Sequence, residues 1–188
     1  MLFIFLIIIF GNSSLLMTLL ITNRLHIDFA TTNDATFLHK LMNDSSYLKY
    51  IGDRNINSIS DAENFITSKF LQSYKDNGYG YYIIKLKDTN QSIGICGLVN
   101  REALHIIDIG FALLPKFRKN NYAFEASKAL YDYSQNILKI EEITAIVDPK
   151  NKKSISLLKK LGLDYKKMIQ LDDDPIECML FTSLKEQH

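Results

Sequence analysis

The chain has 188 residues, of which 47% are hydrophobic and 23% charged, with a formal net charge of +1. This is the balance of a globular chain long enough to bury the core of one domain, and it excludes a disordered one. A charge so close to zero leaves no electrostatic footprint for nucleic acid.

The first ten residues, MLFIFLIIIF, are uncharged and apolar, and no lysine or arginine precedes Arg24. The positive segment that opens a secretory signal is therefore missing. Leu2 to Ile21 has about the ~20 residues needed to cross a bilayer. Asn12, Ser13 and Ser14 would then sit near its middle, where polar groups are costly. Three readings stay open for residues 1–16: translated upstream sequence with the true start at Met17, a membrane anchor, or an atypical signal. Residues 17–188 read as a single domain. A membrane partner is expected only if residues 1–21 are retained as an anchor. Otherwise the expectation is a cytoplasmic protein.

From Met17 the elements follow one another closely. Arg24 to Ala30 alternates apolar and polar residues as a half-buried strand does. Thr32 to Asn43 places Phe37, Leu38, Leu41 and Met42 at helical spacing, and SSYLKYIG continues with a further helical turn ending at Gly52. Ser60 and Glu63 have capping-box spacing and open a helix that buries Phe65, Ile66, Phe70 and Leu71 until Gly78. Strands at Tyr79–Leu86 and Ser92–Val99 flank the turn KDTNQ, and a third strand runs from Leu104 to Leu114. A helix from about Asn121 to Ile137 puts Tyr122, Ala126, Ala129, Leu130, Tyr133 and Ile137 on one face. EEITAIVD is a strand, Asn151 to Leu161 a helix stopped by Gly162, and two strands flank DDDP at the end. Cys96 and Cys178 lie in apolar runs outside any CxxC pair. They are expected as buried free thiols rather than a disulfide.

This is an α+β domain. The short connections from Tyr79 to Leu114 predict an antiparallel meander. The strand at Glu141 returns after a helix and should lie parallel to the strand ending at Leu114. A helix start just beyond the first strand of that pair offers unpaired N–H groups and a positive dipole end, which together favour an anion. The basic turn of Arg118, Lys119, Asn120 and Asn121 lies there. Read alone, it is equally a solvated helix entry.

DIGFALLPKFRKNNYAFEASKAL followed by DPKNKKSISLLKKLGLDY resembles the acetyl-CoA-binding core of the GNAT N-acetyltransferases, with the branch acting on ribosomal-protein N-termini as the nearest match. TNRLHIDFATTNDATFLHKLMND and SIGICGLVN resemble the family's opening elements and third strand, so the likeness covers roughly Thr22 to Leu184. It implies a mostly antiparallel mixed sheet whose one parallel strand pair splays apart for acetyl-CoA. The family's phosphate turn runs Gln or Arg, two residues, Gly, one residue, then Gly or Ala. Arg118 takes the first position, Asn121 stands where the glycine belongs, and Ala123 takes the last. Lys119 also replaces a common glycine.

The resemblance places Phe111, Leu113, Arg118, Lys119, Asn120, Asn121, Tyr122, Ala123 and Asn151 against acetyl-CoA, with Asn151 on the pantetheine arm. It puts Leu158 where many relatives carry a tyrosine acid, which shifts proton donation to Ser154. Asp108 stands where the branch carries a glutamate and is the first candidate base, acting through water, with Glu102 and His105 as alternatives. A backbone N–H from about Leu113 would meet the oxyanion. Read without the family, Asn151 and Ser154 are helix capping and Asp108 is a solvent-facing strand residue.

Lys152, Lys153, Lys159 and Lys160 form either a 3′-phosphate contact or the polar face of a helix. Asp172, Asp173 and Asp174 are a solvated turn or a lure for a cationic amine. Tyr79, Tyr81 and Tyr82 are expected to be strand packing. His26, His39, His105 and His188 lack metal-ligand spacing, so no metal is expected. The reading is an acetyl-CoA-dependent N-acetyltransferase acting on a small-molecule or peptide amine. Its alternatives are a non-catalytic acyl-CoA-binding module of the same fold and a membrane-anchored interaction protein.

Overall fold

The computed structural model describes residues 18–101, 104–170 and 177–184. Among the described residues, eight strands form one sheet in the order β1-β2-β3-β4-β5-β6-β8-β7. They are β1 (Thr18–Ile21), β2 (Leu25–Phe29), β3 (Tyr81–Leu86), β4 (Ser92–Arg101), β5 (Ile106–Leu113), β6 (Thr144–Val147), β7 (Asp164–Gln170) and β8 (Glu177–Thr182). Every pairing is antiparallel except β5 with β6, which share a single register pair, Asp108 with Thr144. The expected mixed sheet with one parallel pair is the observed one.

Alternation along the strands divides the core between two layers. Ile83 and Ile95 face one side, against α1 (Ala35–Met42), α2 (Ser45–Tyr50) and α3 (Ile59–Phe65), which runs through a π-helical segment (Ile66–Leu71) into α4 (Gln72–Asn77). Leu38 and Leu41 of α1, Tyr47 of α2, and Ile66 and Phe70 of the π-helical segment are buried there. Ile84, Cys96, Leu98 and Ile109 face the other side. There α5 (Tyr122–Asn136) and α6 (Lys152–Leu161) bring Ala126, Leu130, Leu158 and Leu161. Gly78 and Gly162 close α4 and α6 in the left-handed conformation, which a side chain adopts at a cost.

Several local expectations shift. The capping box at the start of α3 is Ser58 with Asp61, not Ser60 with Glu63. Ser58 is extended, and its hydroxyl accepts the Asp61 N–H at 3.1 Å, whereas Ser60 already lies inside the helix. Ile137 falls past the end of α5 and is 48% exposed rather than buried. Neither cysteine is in a disulfide; Cys96 is buried and Cys178 only half-buried. Thr18–Ile21, inside the apolar run drawn as a membrane span, is an edge strand pairing Thr18 with Asp28 and Ile21 with His26. The stretch from Leu2 therefore does not continue to Ile21 as one helix. Residues 1–17 lie outside the described residues. Among those described, no helix is long and apolar enough to cross a membrane.

The shifted cap is testable. Ser58→Ala should lower stability by about 1 kcal/mol, while Ser60→Ala should stay within about 0.5 kcal/mol of the parent. Urea denaturation of the two variants separates these outcomes.

Candidate active site

The single register pair between β5 and β6 makes the site. Beyond Asp108 and Thr144 the two strands part, and side chains take over the ladder's hydrogen bonds. Ile146 N–H donates to Asp108 Oδ1 at 3.1 Å, and Thr144 Oγ1 donates to the Ile107 carbonyl at 3.0 Å. Leu114 N–H donates to the Ile93 carbonyl on β4 at 3.0 Å. By antiparallel alternation, the backbone groups of Phe111 and Leu113 therefore face away from β4 and into the gap. A cleft of about 1440 Å³ runs through this gap, larger than the ~300–1,000 Å³ usual for one small ligand. Phe111, Leu113, Lys119, Asn121, Tyr122, Ala123, Asn151 and Ser154, all named as candidate site residues from the sequence, line it.

One end of the cleft meets the start of α5. Asn121 is the N-cap, at φ 61°, and its side chain makes no capping hydrogen bond. Lys119 is also left-handed, at φ 69°. The two positions where glycines were missing thus keep the backbone conformation that glycine would adopt most easily. The first N–H groups of α5 have no intrahelical partner and lie at the positive end of its dipole. Lys150, Lys152, Lys153 and Lys160 also line the cleft. Glu125, in the first turn of α5, does not oppose them, because Arg24 pairs with it at 2.7 Å and Thr22 Oγ1 donates to it at 2.6 Å. Burial alone would raise the Glu125 carboxyl. The bonds from Thr22 and Arg24 outweigh that and hold it below the ordinary carboxylate range.

Arg118 does not aim its side chain at this anion-favouring end. Its Nε donates to the Leu113 carbonyl at 2.9 Å, Nη1 to Ser46 Oγ at 2.8 Å, and Nη2 to Asp44 Oδ1 at 2.5 Å. Two acceptors on another part of the chain claim the guanidinium, so only the Arg118 backbone belongs to the turn. Asn120 is exposed and, unlike Arg118, does not line the cleft; its Nδ2 donates to the Arg118 carbonyl at 3.4 Å.

Asp108 lines the cleft but is not solvent-facing, being only 4% exposed. Arg101 donates to its Oδ2 from Nη2 at 2.9 Å and from Nε at 3.2 Å. Burial pushes the Asp108 carboxyl above its ordinary value, against the opposing Arg101 charge and hydrogen bonds and the Ile146 N–H. His105 sits exposed on the β4–β5 turn and off the cleft wall, and Glu102 lies outside the described residues. Asn151 caps α6, its Oδ1 accepting the Ser154 N–H at 3.2 Å. It nonetheless reaches the cleft, so the capping and ligand-binding readings are compatible. Leu158 is buried beneath the cleft floor at 2% exposure. Asp172, Asp173 and Asp174 fall outside the described residues.

Residues 24–164 match the family model described as the acetyltransferase (GNAT) domain. The chain belongs to this family. Among curated relatives, it is 29% identical to the uncharacterized protein YkkB of Bacillus subtilis over 164 residues, spanning 85% of this chain and 92% of YkkB. It is 27% identical to the uncharacterized N-acetyltransferase YnaD of the same organism over 142 residues, 76% of this chain and 80% of YnaD. A GNAT acetyltransferase structure from Bacillus anthracis aligns at TM-score 0.72 and 23% identity, covering 88% of this chain and 97% of that one. The microcin C7 self-immunity acetyltransferase MccE, in complex with acetyl-CoA and AMP, aligns at 0.73 and 18%, covering 86% and 92%. A ribosomal-protein-S5-alanine acetyltransferase from Vibrio fischeri aligns at 0.74 and 15%, covering 88% and 95%.

In this GNAT chain the cleft is also lined by residues the sequence reading passed over. Tyr47, Tyr50, Arg54 and Arg101 line it. Tyr81, expected as packing, lines it too. Tyr81 pairs with Gly97, and Gly97 pairs with Gly110 on the next strand. A Cβ on Gly110 would sit 2.7 Å from the Tyr81 hydroxyl. The two glycines thus let the tyrosine ring cross β4 and deliver its hydroxyl beside β5. Burial, with the Asp108 charge adding to it, pushes the phenol above its ordinary value and keeps it a proton donor. The signal was available in principle as two glycines in adjacent strands, but only the register aligns them.

The turn's backbone gives a stability prediction. A left-handed conformation costs an ordinary side chain ~1–2 kcal/mol, and glycine loses ~0.5–1 kcal/mol in extra unfolded-state freedom. Lys119→Gly should therefore stabilise the fold by about 0.5–1 kcal/mol. Asn121→Gly should change it little, since asparagine tolerates this region. Chemical denaturation of both variants is the check.

Proposed function

We propose that this GNAT chain transfers an acetyl group from acetyl-CoA to a primary amine by direct attack, without a covalent enzyme intermediate. The observation that carries this reading is the uncapped, positive start of α5 opening onto the gap between β5 and β6. An anionic pyrophosphate fits the N–H groups from Lys119 to Ala123. A pantetheine arm fits the strand edge at Phe111 and Leu113, where Arg118 takes the Leu113 carbonyl but the Leu113 N–H faces the gap, with Asn151 also lining the cleft. The acetyl-CoA complex of MccE, a protein of similar fold, supports this placement.

Asp108 is assigned as the proton acceptor for the amine. Of the roughly four lone-pair sites on a carboxylate, three accept from Arg101 and Ile146. The remaining site on Oδ1 is open to the amine or to a bridging water. As the amine nitrogen bonds to the acetyl carbon, its proton passes to Asp108, and the Leu113 N–H meets the oxygen on which charge develops. Cleavage of the carbon–sulfur bond releases a thiolate, to which the Ser154 hydroxyl supplies a proton, regained from solvent. The acceptor class follows the resemblance to the ribosomal-protein branch. The Vibrio fischeri enzyme, named for a ribosomal-protein alanine, supports a protein N-terminus as the first candidate.

The test is thiol release from acetyl-CoA with a panel of peptide N-terminal amines and small amines. Turnover should fall by about 10²-fold or more in Asp108→Asn, the usual range for loss of a general base. The active form of Asp108 is the carboxylate, and its pKa is raised. The parent's kcat/KM should therefore rise with pH along a limb displaced above the ordinary carboxyl range. That limb should be absent from the residual Asp108→Asn activity. A limb unchanged in the variant would remove Asp108 from the proton path. Acetyl-CoA binding with no turnover of any amine would favour the non-catalytic module.

A further inference from the structure

We propose that Arg118 and Asp44 form a clamp through which the turn before α5 positions the acceptor wall of the cleft. A ligand held at the start of α5 would thereby order α2. The inference rests on the acetyl-CoA reading above and concerns how the two substrate sides communicate.

Three features of the geometry support it. The first is the fork itself. One guanidinium joins the end of β5, through the Leu113 carbonyl, to Ser46 and Asp44 across the cleft. These contacts are only partly open to solvent, with side-chain exposures of 31% for Arg118 and 12% for Asp44. A planar guanidinium bound at three nitrogens has little freedom to rotate, so it transmits position rather than charge alone.

The second feature is the element on which the fork acts. Helix α2 is six residues long, too short to persist by its own hydrogen bonds. Its start depends on Asp44, which accepts the Ser46 N–H at 3.1 Å as the N-cap while also receiving Arg118. Burial alone would raise the Asp44 carboxyl, but the Arg118 hydrogen bond and charge outweigh it and hold the pKa below the ordinary range. The cap therefore stays ionised, and the pairing intact, through neutral pH.

The third feature is what α2 carries. Tyr47, Tyr50, Asp53 and Arg54, from α2 and the segment after it, line the cleft, and Tyr47 packs in the core layer on the face of the sheet opposite α5. On the other side, Arg118 lies next to left-handed Lys119 and three residues from left-handed Asn121. An anion gripping these backbone N–H groups would fix the turn, and the fork would carry that restraint to α2. By linkage, whatever orders α2 tightens the anion in return.

The clamp is tested by hydrogen exchange on the full chain, with and without saturating acetyl-CoA. In the parent, the ligand should slow exchange both in residues 119–125 and in residues 45–52. Asp44→Asn keeps a capping oxygen but loses the charge; it should retain the first effect and reduce the second at least about fivefold, the lower end of ordinary coupling. Arg118→Lys should behave in the same way. Ser46→Ala, which removes only the Nη1 partner, gives a milder version if either variant folds poorly. A merely structural brace would speed exchange in α2 equally with and without ligand. That outcome overturns the proposal, as does protection of residues 45–52 that survives in Asp44→Asn. Protection confined to residues 119–125 in the parent also overturns it. Absence of protection in both segments removes the acetyl-CoA reading and the clamp together.

Discussion

The structure depends on the point where β5 and β6 cease to be neighbours. A parallel pair would ordinarily run on, each backbone group satisfied by the next strand. Here the pairing stops after Asp108 and Thr144, and two side chains supply bonds the ladder would have made. The gap that follows is stable because its far end is held elsewhere. β4 pairs with β5 in unbroken register from Arg101–Ile106 to Gly94–Leu113. β8 pairs with β6 along its whole length. The cleft is therefore an opening in an otherwise continuous sheet, and backbone groups on its edge are left for a ligand.

Charge is arranged around that opening by pairing. Arg24 neutralises Glu125, Arg101 neutralises Asp108, and Arg118 neutralises Asp44. The first and last pairs join segments far apart in the chain, and the second links the adjacent strands β4 and β5. With those charges matched, the positive end of α5 and the lysines near it set the local field on the cofactor side. A chain with a net charge of only +1 can in this way carry a locally positive end of the cleft. The pairs themselves are partly buried, where unpairing one partner is costly.

Much of the architecture was legible because it rests on local pattern. Alternation marked the strands, helical spacing marked α1, α3 and α5, and Gly78 and Gly162 marked helix ends. The order of elements gave the single parallel pair, and the turn at Arg118–Asn121 pointed to the site. What escaped the reading depends on register or on distant partners. β1 hides in an apolar run that fits a membrane span equally well until β2 is seen beside it. The Tyr81 hydroxyl reaches the cleft only because Gly97 and Gly110 fall in line across two strands. Arg118 looked like a phosphate ligand because its competing acceptors, Asp44 and Ser46, lie more than seventy residues earlier in the chain. Asp108 looked exposed because nothing in a single strand reveals that its neighbour ends there.

The central claim is that the start of α5 binds the phosphates of acetyl-CoA. Thermal unfolding of the parent chain and of Asn121→Asp, each with and without acetyl-CoA, tests it most directly. Aspartate tolerates the left-handed cap as asparagine does and differs chiefly in its charge. At one hundred times its Kd, acetyl-CoA should add ~2.7 kcal/mol to the stability of the parent. The account predicts that Asn121→Asp loses most of that shift while unfolding near the parent's temperature without ligand. An equal shift in both proteins, or none in the parent at millimolar acetyl-CoA, would contradict it.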